Sequence, residues 1–345
     1  MFHPRNIVGS TALTSPVTMR AKTRDNFTTF DRATIDSAGA FLVGELERLD
    51  QTLNQPLVNY TWSRDIDLRE DVQIGDELAS FTNSSFAAPG GITPTGKNWI
   101  SKSANAISTI QIDIGKTPQP LHLWGMELSW TIPELESAAQ LGRPVDTQKY
   151  DAMTLKWNMD IDEQVYIGDS TLPSCYGLCN LASVTPTNAP NGAGGSPLWI
   201  NKTPAEILKD VNTVLNAAWA ASGYAVAPSD LRIPPAQFGY LASQTVSTAG
   251  NVSILEYLKQ NCISNTVNGQ PLNIQPLKWL TGRGAGSTDR MLAYSKDPKY
   301  VRFPLVPMQR TPIEYRSLYQ ITTYFGRIGQ VEARYQETLA YMDGI

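Results

Sequence analysis

One long helix, bounded on both sides by helix-breaking residues, constrains this sequence more than any other feature. Gly142 and Pro144 close off a shorter helix upstream, Asp146 restarts the helical pattern, and Gly168 supplies the stop after about Ile167. On a wheel of about 100° per residue, Tyr150, Met153, Trp157, Ile161 and Val165 fall within a ~120° arc and mark the core face. The upstream helix opens at TIPE (Thr131–Glu134), which has capping-box spacing and places Pro133 in the first turn, where its missing N–H costs nothing.

The end of the long helix, WNMDIDEQVYIGD, is acidic, with Asp160, Asp162, Glu163 and Asp169 in ten positions. The wheel puts Asp160 and Glu163 on one flank and Asp162 on the other, whereas a metal needs ligands that converge. The expectation is therefore a solvated acidic helix end. Acids in a last turn oppose the helix dipole at a cost of ~0.3–1 kcal/mol each when exposed. Cations from another segment or another subunit are expected nearby, which points to an ion-pairing surface and away from chemistry.

Composition agrees. Charged residues make up only 17% of the 345, so much of the surface is expected to be covered by something other than water. A net charge of −4 does not advertise nucleic-acid or membrane binding, and no apolar run is long enough to span a bilayer. Only His3 and His122 are present, too few and too far apart for most hydrolytic, metal or proton-shuttle sites. Cys175 and Cys179 (CYGLC) lack the second ligand pair that zinc requires and read as buried thiols. TGRGAGSTDR (281–290) lacks the ending of a phosphate loop and leads into a strand, so it reads as a hairpin loop joining LNIQPLKWL to RMLAYS. No catalytic residue, cofactor or metal is expected.

Around the long helix, the pattern mixes helices and strands without βαβ regularity, giving an α+β class. Residues 1–30 are Ser/Thr-rich and carry Arg5, Arg20, Lys22 and Arg24 before the first acid. Such a polar arm buries too little to order itself, which points to docking on a neighbouring copy. Residues 33–54 read as a short amphipathic helix. LVNYTWSRDIDL, AISTIQIDIG and PLHLWGMELSWT read as strands, with a Gly/Pro-rich excursion between the first two. TPAEILKDVNTVLNAAWAAS and VSILEYLKQNCI read as helices, DLRIPPAQFGYLAS as a strand with a turn, and the tail as two strands about Gly326–Gly329.

In order, these pieces resemble the major capsid proteins of tailed phages, a fold also used by encapsulin shells. Ile161, Asp162, Glu163, Gly168 and Asp169, then Gly177, Leu178 and Asn180, stand where that family has an acidic helix end followed by "GD" and "GL-x-N". Collinear similarity extends over residues ~40–345. The resemblance implies an N-terminal arm (1–50) and a peripheral domain (strands in 51–130, a spine helix in 131–179, return strands in 306–345). It also implies an extended loop at about 66–112 and an axial domain at 180–305. It implies a virion shell subunit, assembled in the bacterial host cytoplasm through hexamers and pentamers, enclosing double-stranded DNA without sequence-specific contacts. Scaffolding, portal and decoration proteins are its implied further partners, and a long cleaved scaffold segment is not expected. Candidate contacts between copies are Arg5, Arg20, Lys22, Arg24, Lys97, Lys102, Asp160, Asp162 and Glu163. Lys97 and Lys102 are the loop lysines that some relatives crosslink. An encapsulin-like compartment and a carboxylate- or metal-dependent hydrolase using Asp160 and Glu163 are the alternatives.

Overall fold

The computed structural model describes residues 58–87, 102, 109–141, 145–247 and 250–345. The four arm cations, the helix expected over 33–54 and Lys97 lie outside the described residues; Lys102 is exposed in a turn.

The described chain begins with a single helical turn, α1 (Trp62–Asp65), and a three-residue strand, β1 (Asp67–Arg69). The single strand expected over LVNYTWSRDIDL is thereby corrected. The Asp162 carboxylate accepts the N–H groups of Thr61 (2.7 Å) and Trp62 (3.1 Å), winding the segment into a turn from 101 residues away. Next, β2 (Leu78–Ala87) and β3 (Gln111–Pro120) form an antiparallel hairpin in unbroken register. The chain passes through Leu121 into β4 (His122–Thr131) and then α2 (Ile132–Leu141). The expected capping box is present, with Glu134 N–H donating to Thr131 Oγ1 at 3.2 Å and Glu134 Oε2 accepting from Thr131 N–H at 3.5 Å. The long helix α3 runs Val145–Tyr166, and Gly168 follows it at φ +76°.

After β5 (Thr187–Asn188), helix α4 (Pro204–Ala221) starts on a second capping box, from Thr203 and Glu206. There follow β6 (Asp230–Ile233), α5 (Pro235–Ser243), β7 (Thr245–Ser247), β8 (Gly250–Ser253), α6 (Ile254–Asn261), α7 (Ile263–Asn268), β9 (Asn273–Pro276) and β10 (Arg290–Tyr294). In DLRIPPAQFGYLAS, the segment after Pro234 is helical, not a turn: Pro235 stands in the first turn of α5, where φ is already set for a helix. Nor do β9 and β10 pair with each other. β6 lies between them, parallel to β9 and antiparallel to β10. The tail holds β11 (Val301–Arg310), β12 (Glu314–Arg316), β13 (Tyr319–Ile328), β14 (Glu332–Ala333) and β15 (Ala340–Asp343).

Among the described residues these strands make a six-stranded sheet, β1-β11-β13-β12 with β14 on β11 and β4 on β13, and a five-stranded sheet, β5-β15-β10-β6-β9. The tail is therefore split, because β15 crosses to the five-stranded sheet. Its central strands β6, β10 and β15 are buried on both faces, successive residues facing opposite sides. Leu231, Ile233, Met291, Ala293, Ala340 and Met342 face the core beneath α4 to α7. Leu292, Tyr294 and Tyr341 face a second core, shared with Trp157, Ile161, Val165 and Tyr166 of α3 and with Val301, Phe303 and Leu305 of β11. The expected stripe of α3 is buried from Met153 to Val165; Tyr150 is exposed at its start, its ring 5.7 Å from that of Tyr324. Near that same start, Met153 packs with Leu128 and Trp130 of β4.

Candidate functional site

The residues that carry the family resemblance lie together at the C-terminal end of α3, where a helix leaves carbonyls without partners. Here the chain returns to fill them. Leu178 N–H donates to Val165 O (2.7 Å), Cys179 N–H to Tyr166 O (2.9 Å), and Gly177 N–H and Asn180 Nδ2 to Ile167 O (3.1 and 2.8 Å). Asn180 Oδ1 in turn accepts from Gly177 N–H at 2.8 Å. Gly168 turns the chain with φ +76°, and Asp169 accepts the N–H and hydroxyl of Thr171, which holds its carboxyl below the usual range. The "GD" and "GL-x-N" residues thus build a helix cap.

The acids of α3 go to different places. Asp160 pairs with Lys156 one turn earlier and accepts Trp124 Nε1 at 2.9 Å. Asp162 corrects the expectation of a solvated helix end. It is 1% exposed, one oxygen holding the start of α1 and the other accepting Trp279 Nε1 (2.7 Å), with Lys278 Nζ at 3.3 Å. The cations that offset these two acids belong to the same chain. Glu163 alone of the three is exposed. With His122, Trp124, Asp160, Asn180 and Arg283 it lines an open cleft of about 990 Å³.

A second cluster was not legible beforehand. Asp65, fully buried, accepts from Arg64 Nε (2.7 Å), Arg232 Nε (2.9 Å) and Tyr166 Oη (2.6 Å), while its backbone carbonyl accepts Tyr294 Oη (2.7 Å). Arg232, equally buried, also bonds Asp230 (2.9 Å) and lies 5.4 Å from the Tyr294 ring centre. The cluster joins α1, the end of α3 and the five-stranded sheet. The available signal was Asp230 and Arg232 on one face of a strand whose other face is Leu231 and Ile233. Burial pushes the Asp65 carboxyl up, but the hydrogen bonds from Arg64 and Tyr166 and the charge of Arg232 outweigh it and hold the pKa below the ordinary value. A depressed folded pKa gives stability that is present above the unfolded value of about 4 and lost as pH falls through the folded one. Unfolding midpoints should therefore hold between pH 7 and 5 and drop below about pH 4. Retention of full stability at pH 2 would contradict this role.

The other candidates resolve into structure. Cys175, Cys179 and Cys262 are buried free thiols, and burial pushes the Cys179 thiol up, away from reactivity. In TGRGAGSTDR, the amides that would meet a phosphate are occupied: Gly282 N–H donates to Asp289 Oδ1 (2.9 Å) and Ala285 N–H to Asp343 Oδ2 (3.0 Å). Among the described residues no group of three or more His, Cys, Asp or Glu side chains is placed to hold a metal ion.

The β2–β3 hairpin is the remaining surface of note. Ala79 packs at its base with Val72, Leu121 and Val306, and Phe81 is buried too, yet every side chain from Gln111 to Pro118 is exposed, Ile112 and Ile114 by 68% each. Ten residues of strand reach about 34 Å, and a two-stranded hairpin alone in water is marginal.

A family model described as "Major capsid protein" matches residues 96–345. The chain belongs to that family. The fold of this capsid protein is shared with the capsid of Myoviridae phage XM1, at 15% identity and a TM-score of 0.68, over 88% of this chain and 98% of that one. Gordonia phage Cozz (12%, TM-score 0.53; 90% and 94% covered) and the holo-SrpI encapsulin complex of Synechococcus elongatus PCC 7942 (12%, 0.51; 88% and 95%) have similar chains. A comparison with curated proteins returns no match.

Proposed function

We propose that this capsid protein forms, through hexamers and pentamers, the icosahedral shell around the double-stranded DNA of a tailed phage, and that it has no enzymatic activity. The observation that supports this best is the hairpin, whose isoleucine face is exposed among the described residues and would be buried by a neighbouring copy. The peripheral domain, on this reading, comprises α3 and the six-stranded sheet, the axial domain comprises α4 to α7 on the five-stranded sheet, and the hairpin is the extended loop. Assembly takes place in the host cytoplasm, with scaffolding, portal and decoration proteins as further partners. A net charge of −4 suits a wall that must not grip DNA by counterion release.

Arg5, Arg20, Lys22 and Arg24 are assigned to acids of a neighbouring copy, with the exposed Glu163 as one of them; Lys97 and Lys102 are assigned to loop contacts. Charge reversal at Arg20, Lys22 and Arg24 together should cut the yield of particles on a sucrose gradient at least about tenfold, with the subunit still folded. Particles at wild-type yield would remove the arm from the assembly contacts.

A further inference from the structure

Asparagine followed by glycine occurs twice in the chain, at Asn191–Gly192 and Asn268–Gly269. Asparagine is among the thermolabile residues, and a following glycine, with no Cβ, lets its backbone nitrogen approach the side-chain carbonyl carbon. The two steps share that chemistry but sit in different surroundings.

Asn268 ends α7 with its amide in use: Nδ2 donates to Ala227 O (3.3 Å) and to Ser264 Oγ (3.2 Å). Gly269 N–H donates to Asn265 O at 3.0 Å and caps the helix at φ +68°. Asn191 lies in the loop after β5. It is exposed, and among the described residues its side chain has no hydrogen-bond partner. Gly192 N–H donates to Ser196 O at 3.0 Å, closing a turn outside any helix or strand.

This loop is tied to α4. Ala193 N–H donates to Glu206 Oε1 (2.7 Å), and Glu206 Oε2 accepts the N–H of Thr203 (2.8 Å) in the capping box. Gly192 lies against the same carboxylate, since a Cβ built on it would stand 3.3 Å from both oxygens.

We propose that Asn191–Gly192 is a site of spontaneous covalent modification, at which the subunit loses ammonia, gains a carboxylate and loosens the loop from α4. Hydroxide takes the Gly192 amide proton, and the nitrogen attacks Cγ of Asn191. The N–Cγ bond forms, the Cγ–Nδ2 bond breaks, and Nδ2 takes a proton from water and leaves as ammonia, returning hydroxide. Water then opens the cyclic imide. Cleavage of the N–Cγ bond gives aspartate. Cleavage of the bond from that nitrogen to the main-chain carbonyl carbon gives isoaspartate, in which the chain runs through Cγ. No atom is oxidised or reduced. Either product sets a new negative charge next in sequence to a residue packed on Glu206. The isoaspartyl form also adds an extra backbone atom just before the bonds of Gly192 and Ala193.

Peptide mapping by mass spectrometry of the full chain, held in warm, mildly alkaline buffer, tests this. Asn191 should convert at least about tenfold faster than Asn268, because two side-chain bonds hold Asn268 and each costs about fivefold to open. In urea the two should convert at comparable rates, since only the folded chain distinguishes them. Equal rates in the folded chain, or the same ratio in urea as in the folded chain, would overturn the assignment. Asn191→Gln, a change at an exposed side chain, should melt as wild type and remove most of the isoaspartate formed; isoaspartate at the wild-type level would overturn it as well. In the converted protein the amides of Gly192 and Ala193 should exchange with solvent at least about tenfold faster, and unchanged exchange would overturn the loosening of the loop.

Discussion

Replacing Arg232 by alanine should destabilise the unassembled subunit by about 3–5 kcal/mol, the range for breaking a fully buried ion pair from one side. Arg232 and Asp65 are both fully buried and 2.9 Å apart. Without the guanidinium, Asp65 keeps Arg64 and Tyr166, and Asp230 keeps Ser229 and Asn273, but each carboxylate loses its buried cation. The carbonyl of Asn273, which accepts from Arg232 Nη1 at 3.0 Å, loses a donor in the same step. Arg232→Met separates charge from bulk, since it keeps much of the stem and should still cost several kcal/mol. Adding Asp65→Asn to Arg232→Met should cost less than the sum of the two single changes, because the second removes the charge that the first left unpaired. Urea unfolding of the subunits measures all three, and a loss below about 1 kcal/mol for Arg232→Ala would contradict the account.

Gly177→Ala should be nearly as damaging, at about 3 kcal/mol or more, although it adds one methyl group. The new Cβ would sit 2.3 Å from Tyr166 C, 2.4 Å from Ile167 N and 2.5 Å from Tyr166 O, all backbone of the α3 end. Moving away would break the bonds by which Gly177, Leu178 and Cys179 cap that helix. Each such bond contributes about 1 kcal/mol, and the buried carbonyls left behind cost more. Gly239→Ala is the control. It lies inside α5 with nothing within 4 Å of the added carbon, so it should be neutral or stabilising by up to about 1 kcal/mol. Equal unfolding curves for Gly177→Ala and wild type would show that the cap does not hold the helix end.

What the sequence disclosed depends on the range of the physics involved. Periodicity, the TIPE box and Gly168 are local signals, and they placed α3 to within a residue or two of Val145–Tyr166. The wheel also separated Asp162 correctly from Asp160 and Glu163. It could not show that the Asp162 flank meets the N–H groups of Thr61 and Trp62 and the indole of Trp279, because those partners lie far away in the chain. The same limit hid the insertion of β6 between β9 and β10 and the crossing of β15 to the other sheet. Pro234-Pro235 failed for a different reason: as a dipeptide it marks a turn and a helix start equally well, and only the packing of Leu241 into the core decides between them. Gly168, Gly177 and Asn180 were legible as a family pattern, but their physical reason, the filling of the carbonyls of Val165 to Ile167, exists only in three dimensions.

The central claim, that this chain is a shell subunit, is tested most directly by electron microscopy of the purified recombinant protein, with sedimentation velocity on the same sample. The account predicts closed shells, or tubes and rings built from the same capsomers, sedimenting in the megadalton range. A homogeneous monomer at every concentration and salt tested, with the fold intact by circular dichroism, would contradict it.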